Sequence, residues 1–299
     1  MKNFINLDNW SKTDLENLLD SAQSMKAELK AGKVHHKLSN KNIGMIFDKS
    51  SLRTRVSFEV GINQLGAHAI VLGSSAGKLG EREPIADFAR VASRYVDGLI
   101  VRTYEEEKLI ELEKYSTIPV INALSDDSHP CQSMADALTL KEHWGTFDNK
   151  TLAYIGDSNN VTRSLVRMAM KLDLKMHVIS PEDYQFEPEE LKFWQDQGIK
   201  FFTDPKEGVK GVDSLYTDVW TSMGQEKEKE KRLIDFQGFI IDNNLMACAA
   251  DDVKVLHCLP AHRGEEISDE VIESKNSIVF DQAENRLHIQ KAIMIACFS

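Results

Sequence analysis

The sequence predicts an α/β protein with two doubly wound domains, each built from a parallel sheet flanked by helices. Short apolar runs alternate with longer segments of helical spacing along the 299 residues, which is the pattern of repeated strand–helix units. Residues 145–150 interrupt this alternation near its middle. Because the chain is long enough for two domains and is 42% hydrophobic, we expect each domain to bury its own core.

The first half begins with a predicted helix over residues 9–30, for which Ser11 or Thr13 is a suitable cap. An apolar strand over 43–47 follows, and then an amphipathic helix that covers 56–65. The other predicted elements of this half are strands at 69–72, 98–101 and 119–122 and helices at 85–95, 105–114 and 130–144.

The second half repeats the same alternation, which predicts a second parallel sheet. Its predicted strands cover residues 152–155, 176–179, 214–217, 253–256 and 277–280. Its predicted helices cover residues 161–172, 187–197, 225–236 and 284–296, and the third of these is highly charged with one solvated face.

The segment SLRTR, residues 51–55, organises the first half because it joins a buried strand to the first turn of a helix. Free backbone N–H groups and the positive end of the helix dipole make such a turn an anion site. An arginine guanidinium group can donate two parallel hydrogen bonds to the oxygens of a phosphate, so a phosphate group is the expected ligand. The alternative is a capped helix with solvated arginines. The net charge of −11 argues against it, because positive charge is gathered here in an acidic protein.

Polar clusters follow most of the other central strands. They lie at Arg102 and 129–132 in the first half, and at 157–160, 218–224 and 257–264 in the second. Ligands of open parallel sheets bind beyond the carboxyl ends of the strands. Taken singly, each cluster also has an ordinary interpretation as a structural histidine, a helix cap or a small buried cysteine. Their shared location favours a functional site.

Several classes of function are disfavoured. The net charge of −11 disfavours nucleic acid or an anionic membrane surface as a partner. Gly156 ends a strand, but no GxGxxG pattern accompanies it, and no GxSxG pattern supports a serine hydrolase. No carboxylate or histidine stands at ligand spacing from Asp218, so no metal site is predicted. Cys131, Cys248, Cys258 and Cys297 form no CxxC pair and are interpreted as reduced thiols. The sequence also has no apolar run of signal-peptide or membrane-spanning length. Together with the reduced thiols, this observation predicts a cytoplasmic protein.

Four motifs in order along the chain resemble those of the ornithine carbamoyltransferases: SLRTR at 51–55, HPCQ at 129–132, DVWTSMG at 218–224 and HCLP at 257–260. The first two mark carbamoyltransferases in general, and the last two point to ornithine rather than aspartate. The resemblance covers essentially the whole chain. It implies a carbamoyl-phosphate domain over 1–145, to which the closing helix 284–299 returns, and an ornithine domain over 146–283. It also implies a homotrimer with active sites at subunit interfaces.

The implied reaction transfers the carbamoyl group of carbamoyl phosphate to the δ-amine of ornithine, giving citrulline and phosphate for arginine biosynthesis, without a cofactor. The residues implied to bind carbamoyl phosphate are Ser51, Leu52, Arg53, Thr54, Lys78, Arg102, His129, Gln132, Cys258, Leu259 and Arg286. Those implied to bind ornithine are Asn160, Asp218, Ser222 and Met223. The expected catalytic residues are Arg102, His129, Asp218 and Cys258. The segment 218–224 is further expected to close over ornithine.

Two positions depart from the family pattern. Leu52 replaces the commoner threonine, and Lys78 stands where the family usually has a glutamine. Related aspartate enzymes use a lysine from this loop, which keeps other amino acids open as substrates. The alternatives are therefore a carbamoyltransferase acting on aspartate or an acylated ornithine, a non-catalytic paralogue that binds carbamoyl phosphate, and a plain nucleotide-binding module.

Overall fold

A computed structural model describes residues 2–72, 78–221 and 226–299 of the chain. It contains two compact units, one formed by Met1–Leu138 with Glu284–Ser299 and the other by Thr139–Ala283. Each unit has one parallel sheet flanked by helices, so the predicted fold class is confirmed. The units divide within a helix, somewhat before the position at 145/146 that the sequence suggested.

The first unit contains a four-stranded sheet in the order β2-β1-β3-β4, with all neighbours parallel. Its strands are β1 Asn42–Phe47, β2 His68–Leu72, β3 Gly98–Arg102 and β4 Val120–Leu124. Its helices are α1 Lys12–Lys30, α2 Leu52–Gln64, α3 Ile85–Ala92, α4 Glu106–Tyr115 and α5 Pro130–Trp144, the last of which continues into the second unit.

Local sequence accounts for these elements. The Ser11 hydroxyl accepts a hydrogen bond from the backbone N–H of Asp14, whose carboxylate accepts one from the N–H of Ser11. This capping box starts α1 where the sequence predicted. Strands β3 and β4 are buried along their whole length, as expected for parallel strands covered on both faces. At Gly98 a Cβ atom would lie 2.4 Å from the ring of Phe298, so glycine lets the last helix pack directly on β3.

The second unit contains a five-stranded parallel sheet in the order β7-β6-β5-β8-β9. Its strands are β5 Thr151–Ile155, β6 Lys175–Ile179, β7 Lys200–Phe202, β8 Ser214–Thr217 and β9 Lys254–His257. Its helices are α6 Asn160–Lys171, α7 Pro188–Asp196, α8 Pro205–Gly208, α9 Lys229–Asp235, α10 Asn243–Met246 and α11 Asp269–Ile272. Helix α12, Val279–Phe298, ends the chain.

One predicted strand is wrong. In the segment 277–280, Ser277 forms only an isolated bridge with Val255, and α12 already begins at Val279. A four-residue apolar run is too short to distinguish a strand from the buried first turn of a helix. The short elements β7, α8, α10 and α11 were not predicted either, because each spans only three or four residues. In the described part of the chain, no helix is long and apolar enough to cross a membrane.

Strand order locates the position at which each sheet can bind a ligand. The order reverses between β1 and β3 in the first unit and between β5 and β8 in the second. The carboxyl ends of strands at such a switch point open into a crevice, because the connecting helices leave in opposite directions. The segment 51–55 and Arg102 lie at the first switch point, whereas 157–160 and Asp218 lie at the second.

Candidate active site

The first switch point carries a helix N-terminus. Ser51 is the N-cap of α2, and its hydroxyl accepts a hydrogen bond from the backbone N–H of Thr54 at 3.3 Å. The same hydroxyl donates to Thr54 Oγ1 at 3.0 Å. Leu52 and Arg53 occupy the first turn with exposed side chains. This turn forms the positive end of the dipole of a 13-residue helix.

Two buried guanidinium groups meet at Thr54. Its Oγ1 atom accepts hydrogen bonds from Arg102 Nη1 at 3.4 Å and from Arg286 Nη2 at 3.2 Å. Arg102 is the last residue of β3, and Arg286 comes from α12, 232 residues after Thr54 in the chain. Positive charge is therefore concentrated beside the helix N-terminus, an arrangement that suits a phosphate group.

Arg286 also connects this cluster to α5. Its Nη1 atom donates to Gln132 Oε1 at 2.6 Å, and Gln132 Nε2 donates to Asp136 Oδ1 at 2.8 Å. Gln132 is buried, and its amide is oriented by these two bonds. Because a carbonyl oxygen has two lone pairs, Gln132 Oε1 can accept one further hydrogen bond from a ligand N–H group.

His129, directly before α5, is buried beside the same cations. Burial, together with the positive charges of Arg286, Arg102 and Lys49, holds the pKa of His129 well below its ordinary value of 6.5. The imidazole is therefore neutral at pH 7 and offers an N–H donor without adding charge. Its neighbour Cys131 packs in the interior, where burial raises its thiol pKa to about 12, and its Sγ donates to the carbonyl of Asn122.

Lys49 is a site residue that the sequence analysis missed. Its side chain is buried, its ammonium lies 5.2 Å from the centre of the Tyr104 ring, and its charge acts on His129. Its position in the turn directly after β1 was the signal available in the sequence. Lys78, the predicted contact, is exposed and lies 5.4 Å from the centre of the same Tyr104 ring.

The second switch point brings a carboxylate and a thiol together. Asp218 directly follows β8, and Cys258 directly follows the neighbouring strand β9. Cys258 Sγ donates to Asp218 Oδ1 at 2.8 Å, and the backbone N–H of Val219 donates to the same oxygen at 2.8 Å. Asp218 is buried and Cys258 is half-buried.

A buried pair shapes the loop that carries Cys258. His257 Nδ1 accepts from the backbone N–H of Leu259 at 2.9 Å, so Nε2 donates to the buried carboxylate of Glu266 at 3.0 Å. Leu259 has a φ of 57°, an uncommon value for a bulky residue, which this hydrogen bond helps to maintain. Ligand atoms of Asp218, His257 and Cys258 lie within 4.8 Å of one another, a grouping that local spacing did not reveal. Both ring nitrogens of His257 are hydrogen-bonded within the protein.

The remaining predicted residues fall near β5 or outside the described residues. Asn160 is the first residue of α6 and is half-buried, and Asn159 caps the helix by accepting from the N–H of Val161 at 2.9 Å. Ser222 and Met223, together with Gly224, the last residue of the segment expected to close over ornithine, lie outside the described residues.

The fold and these motifs define a class of protein. Residues 2–142 match the family model described as the carbamoyl-P binding domain of aspartate/ornithine carbamoyltransferase, and residues 148–297 match the Asp/Orn binding domain of the same family. The chain belongs to the aspartate/ornithine carbamoyltransferase family, and it is a carbamoyltransferase.

Individual relatives are similar over nearly the whole chain. An ornithine carbamoyltransferase of Archaeoglobus fulgidus is 50% identical over 297 residues, which cover 99% of this chain and 97% of that protein. The structure of the ornithine carbamoyltransferase from Pyrococcus furiosus matches with a TM-score of 0.94 and 44% identity, covering 99% of this chain and 97% of the other. An acetylornithine transcarbamylase complexed with acetylcitrulline matches with a TM-score of 0.87 and 33% identity, covering 100% of both chains.

The burial of His129 predicts a dependence of stability on pH. The pKa of His129 is lower in the folded protein than in the unfolded chain. Below about pH 6.5 the unfolded chain therefore binds more protons than the folded protein does, and the stability decreases as the pH decreases. We expect the wild type to lose up to about 1.4 kcal/mol per pH unit more than a His129→Gln variant between pH 6 and pH 5. Urea unfolding at several pH values measures this difference. His68→Gln, which removes an exposed histidine, is the control and should leave the slope unchanged. Equal slopes for the wild type and His129→Gln would contradict the assignment of a neutral, buried imidazole.

Proposed function

We propose that this carbamoyltransferase acts on L-ornithine, transferring the carbamoyl group of carbamoyl phosphate to the δ-amine and releasing L-citrulline and phosphate. The proposal that carbamoyl phosphate is the carbamoyl donor rests on one observation. Arg102 and Arg286 converge on Thr54 beside the N-terminus of α2. The choice of ornithine is supported by the similar proteins that bear this name. We further propose that the reaction serves arginine biosynthesis.

The first unit would bind carbamoyl phosphate. In this proposal the domain covers residues 1–145 with the closing helix 284–299. The backbone N–H groups of the first turn of α2 and the side chains of Ser51, Arg53 and Arg102 would hold the phosphate. Phosphate is the leaving group, so the same cations would stabilise the negative charge that it carries away.

The carbamoyl group would lie against His129, Gln132 and Thr54. Its carbonyl oxygen gains negative charge as the amine attacks, and fixed donors on Arg102, Thr54 and His129 would stabilise that charge. A neutral His129 suits this role, because it donates a hydrogen bond without repelling the neighbouring arginines. Gln132 Oε1, already oriented by Arg286, would accept a hydrogen bond from the carbamoyl NH₂ group.

The second unit would bind the amino acid, in a domain over residues 146–283. Asn160, Ser222 and Met223 would hold its backbone groups, and Asp218 with Cys258 would flank the δ-amine. A free alkyl amine has a pKa near 10.4, so the site must favour its neutral, nucleophilic form. Removal of water and nearby positive charge lower an amine pKa. Asp218 can accept one N–H of that amine and so orient its lone pair toward the carbamoyl carbon. The proposed reaction requires no cofactor.

An acylated ornithine is the second candidate substrate. The observation that favours it is the similarity to an acetylornithine transcarbamylase over 100% of the chain. The lysine at position 78, where ornithine enzymes usually carry glutamine, keeps this alternative open.

Turnover with a panel of amines tests the proposal. We expect the protein to release phosphate from carbamoyl phosphate with ornithine at least about 100-fold faster, in kcat/KM, than with acetylornithine or aspartate, because buried polar groups reject ligands that leave them unpaired. Citrulline formation confirms that phosphate release is coupled to transfer. A Thr54→Val variant is the control for the donor site and should be slow with every amine. Preference for acetylornithine would replace ornithine by the second candidate, and no turnover with any amine would indicate a binding paralogue.

The Cys258–Asp218 contact predicts a kinetic phenotype. Cys258→Ser should keep the fold but lower kcat with ornithine by roughly one to several orders of magnitude, because groups positioned for proton transfer contribute about this much. The pH profile should also shift, since Cys258 would help to set the ionisation of the bound amine. Cys248→Ser is a matched control, since Cys248 is a half-buried thiol of the same unit whose Sγ donates to the backbone carbonyl of Asn244. Wild-type turnover with an unmoved pH profile in Cys258→Ser would show that Cys258 only packs.

We also propose a homotrimer in the cytoplasm. Leu52, Val56 and Val60 recur every four residues on one face of α2, with 77%, 47% and 38% of their surface exposed. An exposed apolar stripe of this kind is typical of a surface that another chain covers. The four cysteines all remain free thiols, which supports a reducing compartment.

Sedimentation of a charged variant tests the assembly. Val56→Glu places a carboxylate in the middle of the apolar stripe, so we expect it to lower the mass of the particle from three chains toward one. Ile234→Glu, at a similarly exposed apolar residue of α9, should leave the mass unchanged. A wild-type monomer at micromolar concentration would rule out the trimer.

A further inference from the structure

One arginine of the charged helix α9 is buried. The side chain of Arg232 is 7% exposed, whereas that of the adjacent Lys231 is 68% exposed. The sequence predicts a charged helix with one solvated face over residues 225–236, and although Arg232 is the one arginine among its lysines, their spacing does not indicate which cation is buried. A buried guanidinium needs specific acceptors, because moving its charge out of water costs several kcal/mol.

The acceptors of Arg232 lie on three separate segments. Nη1 donates to Asp157 Oδ2 at 2.6 Å and to the backbone carbonyl of Trp220 at 2.9 Å. Nε donates to Glu228 Oε2 at 3.0 Å, and the guanidinium lies 4.9 Å from the centre of the Tyr184 ring. Arg232 therefore connects the segment after β5, the segment after β8 and its own helix.

Two of these segments form the switch point of the second sheet. Asp157 stands three residues before Asn160, and Trp220 stands two residues after Asp218. The indole of Trp220 stacks on Phe236 of the core, with ring centres 5.4 Å apart and planes 21° apart. The hydrogen bond from Arg232 goes to the Trp220 main chain, so it fixes the backbone that leaves Asp218 rather than a side chain.

Charge also connects Arg232 to Asp218. Burial raises the pKa of Asp157, the negative charge of Asp218 raises it further, and the hydrogen bond and charge of Arg232 oppose both effects. Without Arg232, the carboxylate of Asp157 would lose this cation while the negative charge of Asp218 still acted on it. The carboxylate of Asp157 would then bind a proton or rotate away. Either change would loosen the turn after β5 that leads to Asn160.

We infer that Arg232 is a positioning residue for the amino-acid acceptor, which holds the backbone from Asp218 to Thr221 and the turn before Asn160 in the geometry that binds it. Arg232 itself does not touch the substrate in this assignment. The inference rests on the proposed function, in which this sheet edge binds the amine.

Steady-state kinetics with both substrates test the inference. Arg232→Ala should raise KM for ornithine about 10- to 100-fold, the effect expected when binding groups shift by about an ångström. KM for carbamoyl phosphate should stay within about twofold, because the residues proposed to bind it belong mainly to the other unit. Arg232→Lys should recover only part of the loss, since an ammonium lacks the planar fork in which Nη1 serves Asp157 and Trp220 while Nε serves Glu228. Lys231→Ala removes the same charge one residue away on an exposed side chain, so it should change neither KM value.

Hydrogen exchange in the free protein provides a readout that needs no substrate. The amides of residues 219–221 should exchange faster in Arg232→Ala than in the wild type or Lys231→Ala, because the backbone carbonyl of Trp220 has lost its donor. Unchanged exchange there, an unchanged KM for ornithine, or an equal rise in both KM values would each overturn the inference. If the wild type prefers another amine, only the choice of ornithine fails, and the KM comparison is made with that amine. If it accepts none, the exchange result decides.

Discussion

Two buried guanidinium groups meet at one threonine hydroxyl, and this concentration of positive charge constrains the first unit. Burying a cation costs several kcal/mol unless acceptors surround it. Here Thr54 and Gln132 accept from Arg286, while Arg102 reaches the same threonine from the end of β3. The contacts require α2, α5 and α12 to meet at the switch point of the sheet. The acidic chain thus gathers positive charge where helix and strand ends already converge.

The second unit uses buried ion and hydrogen-bond pairs for a similar purpose. Arg232 with Asp157, and His257 with Glu266, each fix a loop at the edge of the sheet, and the residues proposed to act on the amine stand beside them. Removing one partner of such a pair leaves an uncompensated buried group, which costs more than the intact pair contributes. Positioning of Asp218 and Cys258 therefore depends on residues that need not touch substrate.

The arginines and His129 of the first unit differ in protonation. The arginines stay charged. Burial of His129, together with their positive charges, lowers the pKa of its imidazole and keeps it neutral. In the proposed reaction, a neutral donor beside fixed cations would polarise the carbamoyl carbonyl without adding positive charge. The two cysteines within the HPCQ and HCLP motifs differ in their surroundings. Cys131 lies in an apolar interior that suppresses its thiolate, whereas Cys258 is half-buried against a carboxylate.

The sequence by itself determined the fold class, most strand positions and the Ser51 helix start, because hydrophobic periodicity and capping are properties of neighbouring residues. It also placed the polar motifs at strand ends, since regular strand–helix alternation implies parallel sheets. Only the tertiary structure decided that Arg232 is buried while the neighbouring lysines are exposed, that Lys49 is buried with its charge acting on His129, and that Asp218 contacts Cys258. The structure also showed that the segment 277–280, predicted as a strand, contains the start of α12 at Val279. These outcomes depend on contacts between residues far apart in the chain, and no local pattern encodes which charged side chain finds a buried acceptor.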